Sequence, residues 1–326
     1  MVQVVTDGGT LPLSRSPRPA PSVPSRPSAD ARPARVQAGG MARVAAFVAL
    51  TKPRIIELLL VTTLPTMVVA AGGWPSLRLV LVTLVGGAMS AGGANAANMW
   101  FERDIDALMK RTSQRPLVTG AVSPRAALLF ATTLEVCSFL LLWLAVNALA
   151  AVLSLSAALF YVFVYTALLK RISPQNIVIG GAAGAVPVLV GWAAVTGSLG
   201  WAPLLLFVLV FVWTPPHFWA LAIRYRDDYA RANVPMMPVV SSLGRTCWQI
   251  LAYALATVGV SVAFGAVAGM DWVYWAPALL AGGVFVVCCL QLLRSPRPAV
   301  AMRVFHWSIT YLSLLFVAMA VDVLLR

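Results

Sequence analysis

Long apolar runs broken by short polar stretches recur from residue 55 to the end of the chain, each close to the ~20 residues that a helix needs to cross a bilayer. Read by hydropathy, they predict helices over about 55–72, 77–98, 126–145, 149–169, 176–196, 202–223, 248–268, 273–293 and 304–325. Backbone polar groups inside hydrocarbon must be bonded within their own segment. The expected fold class is therefore all-α: a polytopic membrane helical bundle of about nine transmembrane helices. The polar breaks alternate in charge. Those after the second, fourth, sixth and eighth helices carry many Lys and Arg residues, whereas the breaks on the other side hold only Arg78 among cations. An excess of positive charge marks cytoplasmic loops, so the N-terminus is expected inside and the C-terminus outside, an alternation that only an odd number of helices preserves.

Composition agrees. Hydrophobic residues make up 60% of the chain and charged residues 11%, and mean hydropathy is +0.85. A soluble domain carries about 25% charged residues, so that class is excluded. Residues 1–44 stand apart, because Pro, Ser, Ala and Arg dominate there and large apolar residues are few. A disordered cytoplasmic tail is expected, followed by a membrane-embedded domain over residues 45–326. The tail lacks the apolar core and cleavage site of a secretory signal. Cys137, Cys247, Cys288 and Cys289 form no C-x-x-C pair, and three of them fall in apolar helices. Neither a disulfide framework nor a cysteine metal site is expected.

Charge changes the picture in one place. Of 11 acidic residues, five (Glu102, Asp104, Asp106, Asp227 and Asp228) lie in two long polar breaks at about 99–125 and 224–247, which the charge pattern puts on one side. The first break contains "NMWFERDIDALMKRTSQRP" (98–116), in which Asn98, Glu102 and Asp106 are spaced i, i+4, i+8. On a helix leaving the membrane these three share one face, with roughly 6 Å between successive positions. Oxygen donors so arranged suit a hard cation such as Mg²⁺, which keeps several waters and shares its shell with substrate phosphates. Lys110, Arg111 and Arg115 beside them suit an anion of high charge density. A carboxylate–metal–diphosphate sandwich reconciles both signs of charge. A loop of solvated salt bridges also contains both, and spacing does not separate the two.

From Asn98 to Arg115 the chain reads N-x-x-x-E-x-x-I-D-x-x-M-x-R-T-x-x-R and continues PLVTG. This resembles the signature of the UbiA family of intramembrane prenyltransferases. "LTKPRIIELLLVTTLPTM" (Leu50–Met67), "WTPPHFWALAIRYRDDYARANVPMMPVV" (Trp213–Val240) and "FHWSITYLSLLFVAMAVD" in the last helix resemble the heme O synthase branch of that family. The likeness runs from about residue 45 to the end and omits the tail. It implies an allylic diphosphate held through Mg²⁺ by two acid-rich loops. Asn98, Glu102 and Asp106 match the first metal motif, with Lys110, Arg111 and Arg115 as accompanying catalytic cations. Asp104 is turned off that face and is expected to pair with a cation instead. The second motif in many members is D-x-x-x-D. Here Arg231 stands four residues after Asp227 and Ala232 four after Asp228. Both Asp227 and Asp228 are thus metal candidates, and Arg224 is a candidate either for the substrate or for a salt bridge to one of them.

The implied reaction joins the farnesyl group of farnesyl diphosphate to a vinyl group of heme B, after which water captures the resulting cation and leaves a hydroxyethylfarnesyl arm. Lys52 and Arg54, at the start of the first helix, either face the departing diphosphate or serve as interfacial anchors. His217 follows Pro215 and Pro216, and His306 lies in the last helix. An ionisable residue inside a span is a functional candidate, as an iron ligand or a propionate partner; a buried histidine bonded to a carbonyl is the alternative. Trp213 and Phe218, with Trp192 and Trp219, either shield a carbocation or simply pack. Glu57 is placed near the cavity, and Glu135 has no assignment. The small-residue runs at 86–98 and 180–187 let helices approach closely or line a substrate cleft.

The partners implied are membrane lipid, the two substrates, and heme A synthase or other oxidase-assembly proteins at a bacterial plasma membrane; no nucleic acid is expected. Two other functions are weighed against this one. A prenyltransferase for a quinone-precursor acceptor would share the diphosphate chemistry. A secondary transporter would put its acids near the bilayer midplane rather than at one face.

Overall fold

The computed structural model describes residues 40–326, and the predicted tail up to residue 39 lies outside them. The described chain runs α1 (Gly40–Thr51), α2 (Pro53–Ala71), α3 (Leu77–Leu108), α4 (Pro124–Ala145), α5 (Ala148–Ile172), α6 (Asn176–Thr196), α7 (Trp201–Arg224), α8 (Arg226–Arg231), α9 (Met237–Val240), α10 (Leu243–Val267), α11 (Trp272–Arg294) and α12 (Pro298–Leu324). Several starts follow directly from sequence. Ser76, Ser123, Asn147 and Ser242 are N-caps whose side chains accept from Leu79, Ala126, Ala150 and Arg245 N–H groups that have no helical partner. Pro124 and Pro298 sit in the first turn, where a missing N–H costs nothing.

Every predicted span has a helix, and among the described residues there are no strands. Among the described residues eight helices, α3–α7 and α10–α12, are long and apolar enough to cross a membrane. The ninth predicted span is α2, whose first turns carry Arg54 and Glu57. The chain is thus a multi-pass membrane protein. α3 continues to Leu108, past the apolar boundary near residue 98, and carries the acidic motif out of the bilayer as helix. Within α5, Phe160–Leu169 winds as a π-helix.

α3 packs on α4, α6 on α7, and α7 on α10 and α12, while α2 touches α3, α6 and α12. Glycine sets two of these seams. A Cβ on Gly93 would lie 2.9 Å from the Ala131 carbonyl of α4, and one on Gly191 of α6 would lie 2.8 Å from the Thr63 carbonyl of α2. Small residues permit that backbone approach where lipid supplies no hydrophobic drive between helices. Bulky packing concentrates in α10–α12, where Phe264, Tyr274, Phe285, Tyr311 and Phe316 are fully buried. Their hydroxyls are satisfied: Tyr274 donates to the Ser261 carbonyl and Tyr311 to Ser261 Oγ, both at 2.8 Å. Trp74, Trp201 and Trp272 are exposed beside the breaks that lack positive charge, as an interfacial aromatic belt requires.

Gly191→Val should lower the thermal stability of the detergent-solubilised protein by about 1–3 kcal/mol, because the Thr63 carbonyl cannot yield without moving α2. Gly184→Ala, with nothing within 4 Å of the added carbon, should leave the melting temperature unchanged or slightly raised.

Candidate active site

The last turns of α3 carry three polar side chains into the protein rather than into water. Asn98, Glu102 and Asp106 are 1%, 1% and 2% exposed. A buried carboxylate demands a cation, and three arrive from separate segments. Lys170, at the end of α5, bonds Glu102. Arg115, in the loop after α3, lies 2.5 Å from Asp106 and 3.6 Å from Glu102. Lys52, between α1 and α2, donates to Asn98 Oδ1 at 2.6 Å. The Asn98 amide in turn donates to Thr166 Oγ1 at 3.0 Å.

Local structure puts each partner in place. Thr112 Oγ1 donates to the Asp106 carbonyl at 2.9 Å, folding the chain back at the end of α3 so that Arg115 returns over the carboxylates. Lys52 has φ 54°, a left-handed conformation that a non-glycine residue adopts only when its surroundings impose it. Pro53 ahead of it and Asn95, whose amide donates to the Thr51 carbonyl at 3.0 Å, hold that break between α1 and α2. Burial, and then the neighbouring Arg115 guanidinium, push the Lys52 ammonium down to about 7. The π-winding of α5 matters for the same reason. At 100° per residue, Tyr161 and Lys170 would point to opposite sides, whereas i→i+5 bonding brings nine residues to roughly two turns. Tyr161, Thr166 and Lys170 then all reach the site.

The remaining expected residues divide. Asp104 is off the buried face and accepts a two-pronged bond from Arg171 at 2.8 and 2.9 Å. Lys110 is exposed. The Arg111 guanidinium lies 5.7 Å over the Tyr225 ring, tying the first loop to the second. Asp228 is buried and pairs with Arg231, the residue standing where a second acid of the D-x-x-x-D pattern would be. Asp227 and Arg224 are exposed. Among the described residues no group of three or more His, Cys, Asp or Glu side chains is placed to share a metal ion, so neither second-loop acid joins Glu102 and Asp106 in one ligand cluster. Glu57 is exposed, and Glu135 accepts from Ser90 Oγ at 3.0 Å.

Next to the charged cluster opens a cavity of about 570 Å³ between α2, α3, α5, α6, α7 and α12. Arg54 and Arg111 line it together with Tyr161, Tyr165, Trp213, His217 and Phe218; Trp192, Trp219 and His306 do not. His306 is exposed on α12. Of the glycine-rich runs, Gly87, Gly180, Gly181 and Gly184 line this space, whereas Gly93 is in close contact with the Ala131 carbonyl of α4. Sequence reasoning did not single out Lys170, Thr166, Tyr161 or Tyr165. The one available signal was the side of the membrane assigned to Lys170.

The model of the UbiA prenyltransferase family matches residues 59–315. The chain belongs to the UbiA prenyltransferase family. Within it, the chain is 58% identical over 291 residues to a protoheme IX farnesyltransferase of Streptomyces avermitilis, covering 87% of this chain and 95% of that one. It is 56% identical to the one of Clavibacter michiganensis, covering 88% and 95%. Solved UbiA relatives share the fold. A digeranylgeranylglyceryl phosphate synthase structure superposes with TM-score 0.73 at 15% identity, covering 87% of this chain and 99% of that one. A UbiA homologue from Archaeoglobus fulgidus bound to GPP and Mg²⁺ gives 0.58 at 18% identity, covering 84% and 99%.

Lys170→Met should destabilise the protein by about 3 kcal/mol by stripping a buried carboxylate of its closest cation, with Glu102→Gln in the same chain restoring most of the loss. Lys110→Met should change stability by less than about 0.5 kcal/mol. Thermal unfolding of the four proteins reads both effects.

Proposed function

We infer that this protein transfers the farnesyl group of farnesyl diphosphate to a vinyl group of heme B, with addition of water, to give heme O. The observation that carries the reading is identity of 58% over 95% of a protoheme IX farnesyltransferase, together with Asn98, Glu102 and Asp106 buried on α3, a helix that also lines an apolar cavity. The charge pattern of the loops supports a bacterial plasma membrane location with this mouth facing the cytoplasm. A quinone-type acceptor would use the same diphosphate site, and the similarity to the protoheme enzymes favours heme.

The donor set fits Mg²⁺. Glu102 and Asp106 offer hard oxygens from one helix face, Asn98 adds an amide oxygen, and a Mg²⁺ shared with a diphosphate needs only one or two carboxylates beside phosphate and water oxygens. When bound there, the ion would neutralise charge on the leaving diphosphate. The protein's own cations act in the same sense. Lys52, Lys170 and Arg115 converge on the carboxylates, and Arg54 and Arg111 line the cavity beside them. They are preorganised toward the place where negative charge grows as the C–O bond breaks. An arriving diphosphate also supplies the opposite charge that draws the Lys52 amine back to its ammonium form.

The farnesyl chain then occupies the apolar cavity, where the faces of Trp213 and Phe218 shield the allylic cation and exclude water. The vinyl π-electrons form the new bond to the farnesyl terminus. Positive charge passes to the carbon beside the porphyrin ring, and water adds there with loss of a proton. The product would pass to the next enzyme of oxidase heme supply.

Membranes containing the protein, supplied with heme B, farnesyl diphosphate and Mg²⁺, should yield heme O by mass analysis of extracted heme. Asp106→Asn should cut turnover by about a hundred- to a thousandfold while the protein stays folded, and a chelator should stop the wild type. Full turnover under chelation would refute the assignment.

A further inference from the structure

The diphosphate chemistry leaves one cavity-lining group unexplained, His217. Its imidazole lies between two rings, stacked on Trp213 at 4.4 Å and 17° and on Phe305 at 4.6 Å and 26°. Nδ1 is 2.8 Å from Ser308 Oγ, and Ser308 Oγ is 2.6 Å from the Phe305 carbonyl. These contacts fix where the protons are. The serine hydroxyl has one hydrogen, and a carbonyl can only accept, so that hydrogen points to Phe305. Ser308 Oγ must then accept, and Nδ1 carries the proton. The neutral ring is therefore the Nδ1–H tautomer, with the lone pair on Nε2.

The ring also hydrogen-bonds the Phe305 carbonyl, which can only accept a ring N–H, and no side chain among the described residues bonds Nε2. Both faces of the ring are covered and its Nδ1 edge is anchored, so the lone pair is what His217 presents to the cavity it lines. Trp213 is itself pinned, because its Nε1 donates to the Ser308 carbonyl at 2.8 Å. A histidine whose other ring nitrogen donates to a fixed acceptor has the arrangement that orients metal-ligating imidazoles. The described residues offer no metal cluster around it, so a metal reaching Nε2 must arrive with a ligand.

We propose that His217, oriented by Ser308 and clamped between Trp213 and Phe305, gives its Nε2 lone pair to the iron of the heme substrate as an axial ligand. This rests on heme B being the acceptor. His217 lies two turns, roughly 10 Å of helix, before the end of α7. Ligation there sets the plane of the macrocycle and leaves its rim to reach the diphosphate end of the farnesyl chain. Ser308 is a positioning residue: it touches no substrate and acts by holding the tautomer.

The test uses the purified full-length protein with ferric heme and with metal-free protoporphyrin, followed by absorption spectra and titration. Wild type should bind heme at least about tenfold more tightly than the metal-free ring and give an imidazole-ligated spectrum. His217→Ala should abolish both the preference and the spectrum, and added imidazole should restore the spectrum. Ser308→Ala should weaken heme by about tenfold or more and leave metal-free protoporphyrin unchanged, whereas Ser308→Thr should behave as wild type. Equal binding of the two porphyrins by wild type, or an unaltered heme spectrum in His217→Ala, overturns the ligand role while the heme reading stands. Failure of wild type to bind either porphyrin removes the heme reading and the ligand with it.

Discussion

Two carboxylates buried at the end of a membrane helix set the terms for the rest of this structure. An uncompensated ion in such a place costs several kcal/mol, so Glu102 and Asp106 can be charged only if cations reach them. They come from positions 52, 115 and 170, that is, from the break before α2, the loop after α3 and the end of α5. Satisfying the pair therefore fixes the relation of three segments at one membrane face. The same arrangement that stabilises this pair is an excess of positive charge around hard oxygen donors, which suits the metal-bound diphosphate of the proposed function. Stability and chemistry are served by one set of contacts.

That convergence depends on departures from regular helix. The π stretch of α5 turns Tyr161, Thr166 and Lys170 toward the site, and the left-handed Lys52 breaks one helix from the next so that its amine faces Asn98. Strained or widened backbone persists only where surroundings over-determine it, and here the surroundings are the site itself. Small residues do the complementary work. Gly93 and Gly191 draw neighbouring helices together, while Gly87 and Gly184 leave room on the cavity side. Space is thus made by pairing close seams with missing side chains.

How much of this was legible from residues alone follows the range of each interaction. Span positions were legible because hydropathy is local, and the shared face of Asn98, Glu102 and Asp106 because helical period is local too. Asp104 could be set aside by the same angle, and it does pair elsewhere, with Arg171. Lys170 and Thr166 were not legible: they lie 68 residues from their partners and need a π-winding that "FYVFVYTALL" does not advertise. Of the two histidines, sequence favours His217, which follows Pro215 and Pro216, without showing where either side chain points. Both sit in apolar helices, and only packing shows that His217 lines the cavity while His306 faces outward.

The separation of polarity along the bundle axis also orders the reaction in time. Arg54 and Arg111 line the cavity together with aromatic and small apolar residues, so the proposed function has an isoprenoid diphosphate enter in one sense, tail inward. Its reactive carbon then lies at the boundary, where the departing anion meets cations and the nascent carbocation meets ring faces instead of water. Reversing the chain would bury a diphosphate among Trp213, Phe218 and Ile309 and strand the cations without an anion, a doubly unfavourable state. Under the proposed function, this gradient of polarity favours one substrate orientation and sets the bond to be broken beside the cations.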